Sequence, residues 1–235
     1  LGASIAILTG FSLGPLSAFS VPLAAFSTAS LAAILVLGLS WRRGMSAEVM
    51  VLAGIATLFL FQSLQSLIQY MAAPEILQEI VFWVFGNLLK ADWTSVRVSG
   101  SILILGCLLI VPDLWQLTAL RLGDARAASL GVKVKPLRLR VFAIVALLTA
   151  GAVSFVGTIG FIGLVAPHIA RMLVGEDQRL LLPLSGVAGA GIMIGASIAS
   201  KLIAPGAIVP IGIVTAIIGV PFLFGLILKQ RRAYW

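Results

Sequence analysis

Long apolar runs decide most of what this chain can become. Stretches such as 21–40, 47–71 and 182–203 have the length, about 20 residues, that a helix needs to cross a bilayer core. A membrane barrel would instead be read as alternating segments of roughly 10 residues, and that alternation is not the pattern here. In lipid, every backbone amide must be satisfied within its own segment or within a closed sheet, so these runs are helices. Composition agrees. Of 235 residues, 60% are hydrophobic and 10% charged, whereas a soluble domain carries about 25% charged residues.

Runs bounded by charge, Pro and Gly fall at 1–12, 21–40, 47–71, 95–118, 137–156, 159–174, 182–203 and 210–228. They predict an all-α polytopic transmembrane helical bundle of eight membrane elements, the first partial, forming a single domain over 1–235. The Gly-rich 159–174 run is short and needs support from neighbouring helices.

The formal net charge of +8 would suit a nucleic acid only if it lay on one soluble face. It lies between the apolar runs. Assigning Lys and Arg to alternate sides collects Arg42, Arg43, Arg121, Arg126, Lys133, Lys135, Arg138, Arg140, Arg171, Arg179, Lys229, Arg231 and Arg232 on one side. Lys90, Arg97 and Lys201 fall on the other. The basic side, with the C-terminus, is predicted to be cytoplasmic.

Two polar excursions break the pattern. The first, 72–94, holds Pro74, Glu75 and Glu79 and then VFWVFGNLLKADW, which reads as an interfacial helix with its aromatic rings at headgroup level. The second, 119–136, is cytoplasmic. There Asp124 is expected to cap a short helix ARAASL that Gly131 ends in the left-handed conformation, making a compact knob.

Chemistry-bearing constellations are scarce. No acid pair, nucleophile–base pair, phosphate loop or metal-spaced cluster occurs, and neither metal binding nor catalysis by this chain is expected. Cys107 sits inside an apolar run and reads as packing. His168, beside Pro167, reads as a helix-end histidine, because a proton relay would need ionisable partners at membrane depth. Gly157, Gly160 and Gly163 recur every three residues, and Gly191 with Gly195 forms a GxxxG pair extended by Ala199; both read as close-packing faces. Gln62, Gln65, Ser66 and Gln69 fall on one face of 47–71. Amides are too costly to point at lipid. They therefore serve either as interhelical hydrogen bonds or as the lining of a pathway or subunit interface.

The stretch GTIGFIGLVAPHIARMLVGEDQRLLLPLSGVAGA, followed by APGAIVPIGIVTAIIGVPFLFGLIL, closely resembles the permease subunits of ABC importers for iron-siderophores, haem and vitamin B12. LGASIAI, FWVFGNL and LRLGDARAASLGV resemble the same family in the same order, so the likeness covers the whole chain. It implies ten spans, of which LGASIAI opens the third, so that a chain starting at Leu1 reads as truncated by two. It further implies a bacterial inner-membrane protein acting as a homodimer or similar heterodimer. Its partners are two cytoplasmic ATPase subunits, which hold ATP and Mg, and an extracytoplasmic binding protein. No cofactor is bound by the chain itself, and its other surroundings are lipid, not nucleic acid.

The segment Leu122, Gly123, Asp124, Arg126, Ala127, Leu130, Gly131 and Val132 then becomes the ATPase-coupling element, with Leu130 and Val132 as apolar anchors and Arg126 at the rim. Gly160, Gly163, Pro167, His168 and Arg171 become a structural motif. Three stretches depart from the family pattern. Ala196, Ser197, Ile198, Ala199, Ser200 and Lys201 stand where it reads ADxxAR, and Ile208, Val209, Pro210, Ile211 and Gly212 where it reads ELPVG. Asp177, Gln178 and Arg179 stand for DHR. The likeness places Lys201 at the docking site of the binding protein.

The resulting reading is an importer permease for a metal chelate, a ferric siderophore first, with haem or cobalamin as alternatives. An ion- or proton-coupled secondary transporter is the main rival, and it should place ionisable groups or broken helices at the bilayer midplane. An intramembrane enzyme would need a catalytic pair within the spans.

Overall fold

The computed structural model describes residues 1–12, 14–89, 91–203 and 209–230. Lys90, Ile208, Arg231 and Arg232 lie outside the described residues. Helices account for the described fold, and no strand occurs among these residues. In chain order they are α1 (Gly2–Thr9), α2 (Ser20–Arg42), α3 (Ala47–Met71), α4 (Pro74–Val84), α5 (Trp93–Ile110), α6 (Leu114–Leu120), α7 (Asp124–Ser129), α8 (Val134–Val156), α9 (Ile162–Val174), α10 (Gln178–Leu202) and α11 (Ile211–Gln230).

Five segments are long and apolar enough to cross a membrane: Ser17–Arg42, Ala47–Met71, Trp93–Leu120, Val134–Val156 and Gln178–Leu202. At about 1.5 Å per residue, the 25 residues of α3 exceed a hydrocarbon core of about 30 Å. The 13 residues of α9 fall short of it.

The helices group into two compact units. The first comprises Leu1–Trp83 and Ala91–Gly157, the second the described residues of Val84–Lys90 and Thr158–Trp235. In the first, α2 packs against α1, α3 and α8, and α5 packs against α8. Small residues permit this: Ala3, Ser4, Ala6, Ala25, Ala53 and Ala150 are buried, while Leu52, Leu58, Phe59 and Leu108 are exposed. Such a distribution suits a lipid solvent, in which association comes from close backbone approach and not from hiding large apolar groups. Gly106 and Gly151 show such an approach between α5 and α8. A Cβ on Gly106 would lie 2.5 Å from Leu148, and one on Gly151 would lie 2.9 Å from Ile102.

The expected 95–118 run is not one straight helix. Pro112 lacks an amide donor, and the chain passes through a single 3-10 turn, Val111–Asp113, between α5 and α6. The 72–94 excursion likewise differs from expectation: α4 stops at Val84, Gly86 takes φ +79°, and a fresh cap at Asp92 starts α5. The amide and hydroxyl of Ser95 both donate to that carboxylate, at 2.7 and 2.5 Å, and hold its pKa below the usual range.

In the second unit, α9 and α10 pack side by side, and α11 contacts both. Ala196, Ile211 and Val214 form the core, with Leu88, Ile159 and Met193 against it. The Gly212 amide donates to the Phe85 carbonyl at 3.0 Å, and the Thr158 hydroxyl donates to the Val84 carbonyl. These bonds fasten the 84–89 segment to the first turn of α11 and to the non-helical stretch ahead of α9.

One expectation about glycine faces is corrected here. Gly157 is the C-cap of α8, at φ +75°, and α9 begins only after Phe161, itself at φ +68°. Gly157, Gly160 and Gly163 therefore do not share a helix face. On α10, a Cβ at Gly191 or Gly195 would meet nothing within 4 Å among the described residues, whereas one at Gly189 would touch Ile162 and Ala166 at 3.4 and 3.6 Å. Within the chain the α10 glycine that meets α9 is Gly189.

Candidate functional site

The knob between α6 and α8 is built from two glycine turns and a small core of its own. Gly123 adopts φ +93°, ψ 157°, a region essentially restricted to glycine, and its carbonyl accepts from Ala127 at 3.0 Å. Gly131 at φ +85° reverses the chain after α7, so that the Val132 amide bonds back to the Ala127 carbonyl at 3.0 Å. Ala127 and Val132 are thereby buried with Ala119 and Leu137.

The expected cap is a correction. Gly123 occupies the N-cap, and Asp124, the first residue of α7, makes no capping bond. Its carboxylate is turned to Arg138, whose Nη2 lies 2.7 Å from Oδ1; the guanidinium outcompetes a neutral backbone amide. Val132 is corrected too. At 5% exposure it belongs to the knob's interior, and the apolar side chains offered outward are Leu122 and Leu130, at 53% and 51%. Arg126 is exposed beside them.

Arg138 does more than hold Asp124. Its Nη1 donates to the Met45 carbonyl at 2.9 Å, tying the knob to the α2–α3 turn. Met45 is buried and holds φ +57°, unusual for a side chain of that size. Two residues on, Arg140 Nη1 reaches both oxygens of Asp113, at 3.0 and 3.4 Å. The Asp113 side chain is 1% exposed and also accepts from Gln116 at 3.4 Å. From sequence alone both arginines are simply two of the charges on the basic side. The signal available was Asp113 itself, a carboxylate at the end of an apolar run, which requires a partner.

The polar face of α3 is divided. Gln65 Oε1 accepts from the Ser4 hydroxyl of α1 at 2.9 Å, while its Nε2 is buried with no partner among the described residues. Gln62 and Ser66 are exposed, and Gln69 is half-buried. One amide thus serves packing, and its neighbours stay open.

The motif in α9 is brought together only in part. Pro167 lies inside the helix and deprives the Gly163 carbonyl of its helical donor. The His168 ring meets Phe222 of α11 edge-on at 6.1 Å. Arg171 Nε approaches Glu176 at 3.9 Å, a loose exposed pair. Asp177 caps α10 by accepting from the Arg179 amide at 3.0 Å. At the other end of α10, Lys201 is exposed, beside the reciprocal pairing of Ser200 and Val209.

Residues 1–229 match the FecCD transport family. The hemin transport system permease protein HmuU of Yersinia pestis is 37% identical over 235 residues, covering 99% of this chain and 70% of that protein. The iron(3+)-hydroxamate import system permease protein FhuB of Bacillus subtilis is 36% identical, with 98% and 60% covered. The cobalamin import system permease protein BtuC of Halobacterium salinarum is 31% identical, with 98% and 62% covered. One solved structure, an inward-facing conformation of a transporter assigned to the metal-chelate ABC type, superposes with a TM-score of 0.84 at 35% identity, covering 97% of this chain and 71% of that one. The chain spans 60–70% of the length of these three curated relatives.

Apolar helices of spanning length, packed through small residues, define a polytopic α-helical membrane permease. The chain belongs to the FecCD transport family.

Proposed function

We propose that this chain is the membrane-spanning subunit of an ABC importer that moves a metal chelate inward, powered by ATP hydrolysis on a partner. The observation that carries the reading is the knob 119–136: a small, internally packed element that presents Leu122 and Leu130 outward and is tied to α8 through Arg138. An element that receives force from a partner must be compact, apolar at its tip and fixed to a spanning helix, and the packing of Ala127 and Val132, the exposed leucines and the Arg138 pair support that role.

In this reading two permease copies, or two similar ones, sit in the bacterial inner membrane with the knobs and the C-terminus on the cytoplasmic side. Two ATPase subunits hold ATP and Mg, and an extracytoplasmic binding protein delivers the cargo. The chain binds no cofactor and catalyses nothing itself. Lys201 meets a carboxylate of the binding protein, and Gln62, Ser66 and Gln69 line the route, neutral enough to release a bulky ligand. The cargo is a ferric siderophore, with haem and cobalamin as competing chelates; the likeness to hemin, hydroxamate and cobalamin permeases supports the class.

The test is uptake into proteoliposomes holding the complete transporter and its binding protein. Labelled ferric hydroxamate should enter only with ATP inside, and collapsing the proton gradient should leave the rate unchanged. Uptake that follows the proton gradient without ATP would establish the secondary-transporter reading instead.

A further inference from the structure

We infer that Arg138 and Arg140 are the positioning residues that make the cytoplasmic end of α8 the lever through which the knob's movement reaches the spanning helices. The inference rests on the importer reading above and names how force is passed within this chain.

Residues two apart on a helix point about 200° from each other, so the two arginines leave α8 on opposite sides. Arg138 reaches the α2–α3 turn at the Met45 carbonyl and the first residue of α7 at Asp124. Arg140 reaches the α5–α6 break at Asp113. The three connections at this end of the first unit are thereby fastened to less than one turn of α8. A load on α7 cannot be taken up by bending the 121–123 or 130–133 turns alone, because Asp124 is tied to α8 independently of the backbone.

The burial pattern assigns different duties to the two pairs. The Arg138 side chain is 18% exposed and bridges two acceptors in different segments, a task for the planar fork of arginine that the single point charge of lysine cannot repeat. Asp113 is almost fully enclosed while Arg140 is 60% exposed. That pair fixes the site where Pro112 weakens the helical ladder, which would otherwise be the natural place to bend.

The experiment measures chelate imported per ATP hydrolysed in proteoliposomes carrying the complete transporter. R138K and R138Q should each lower this ratio by about 3- to 10-fold, with assembly checked by size-exclusion chromatography. The double variant D113N/R140Q removes both charges together and leaves no buried ion unpaired, so its thermal midpoint should stay near wild type while its ratio also falls. A residue serving stability alone would move the midpoint and leave the ratio unchanged.

Wild-type ratios in R138K and in D113N/R140Q, with wild-type import intact, overturn the inference and leave the importer reading standing. Failure of the wild-type transporter to import with ATP overturns that reading, and the inference with it. If the Arg138 variants do not assemble, the ratio of D113N/R140Q decides.

Discussion

Ser4 and Gln65 join α1 to α3 by a hydrogen bond of 2.9 Å between their side chains. This bond turns one member of the amide row on α3 inward, away from Gln62 and Ser66, which stay exposed. Side chains three and four apart share a face, yet a helix face is wide enough for one edge to pack and the other to stay open.

Cysteines at 62, 65 and 69, in a background where Cys107 is replaced, should therefore behave differently. The thiols at 62 and 69 should react with a water-soluble reagent, more in one nucleotide state than another. The thiol at 65 should be protected in all of them. Gln65→Leu should cost no more than about 1–2 kcal/mol, because Ser4 can turn its hydroxyl to its own helix backbone. Equal reactivity at all three positions would mean that α1 does not cover Gln65.

At the knob, burial separates two leucines from one valine. Leu130→Asp and Leu122→Asp place a charge where the side chain is half exposed, so the folded chain should survive while stimulation of ATP hydrolysis by the binding protein is lost. Val132→Ala acts on the interior: removing about two methyl-sized groups should cost about 1–2 kcal/mol and lower the thermal midpoint, with coupling retained in the fraction that folds. An uncoupled but fully stable Val132→Ala variant would show that Val132 meets the partner directly.

What was legible beforehand follows from the range of the forces involved. The bounds of α3, 47–71, and the existence of the knob between two glycines could be read because hydrophobic period and turn chemistry are local. The role of Arg138 could not, since its acceptor on Met45 is 93 positions away and an arginine at a helix end looks alike in sequence whether solvated or bridging. Asp124 was misplaced as a cap for the same reason: a long-range ion pair displaced a short-range bond. The glycine series 157, 160 and 163 looked like a helix face because spacing alone cannot reveal that Gly157 ends one helix and Phe161 starts another. Along α10, spacing singles out Gly191 and Gly195, and the glycine that meets α9 is Gly189.

Where α9 begins, Phe161 packs against α11 so closely that a Cβ on Gly219 would lie 2.5 Å from the Phe161 Cβ. Neither atom belongs to the free end of a flexible side chain, so the backbones would have to separate. Gly219→Ala should accordingly destabilise by about 1–3 kcal/mol, read as a lowered thermal midpoint in detergent, although alanine is the better helix former by nearly 1 kcal/mol. A midpoint at or above wild type would mean that α9 and α11 are less tightly apposed than this contact requires.

Lys201 carries the last prediction. It lies in the final turn of α10 and is exposed, next to Ser200, which is held to Val209 on the other side of the connection to α11. A cation on a fixed platform at a helix end suits an acidic partner, and the importer reading supplies one in the binding protein. An ammonium makes a point-charge contact where a guanidinium could make two parallel bonds. An exposed pair of that kind is worth roughly 0–1 kcal/mol and is screened over about 8 Å at physiological ionic strength. Docking at this site should consequently weaken as salt is raised. Lys201→Glu should reduce affinity by about 3- to 30-fold at low salt, since it replaces attraction with a repulsion of similar size, and the difference should shrink towards 1 M salt. Lys201→Arg should match or exceed the wild type if the opposing group is a carboxylate able to accept both bonds. Unchanged low-salt affinity in Lys201→Glu, measured by surface plasmon resonance on the intact transporter, would remove Lys201 from the docking surface and leave the packing around Ser200 as the sole consequence of this turn.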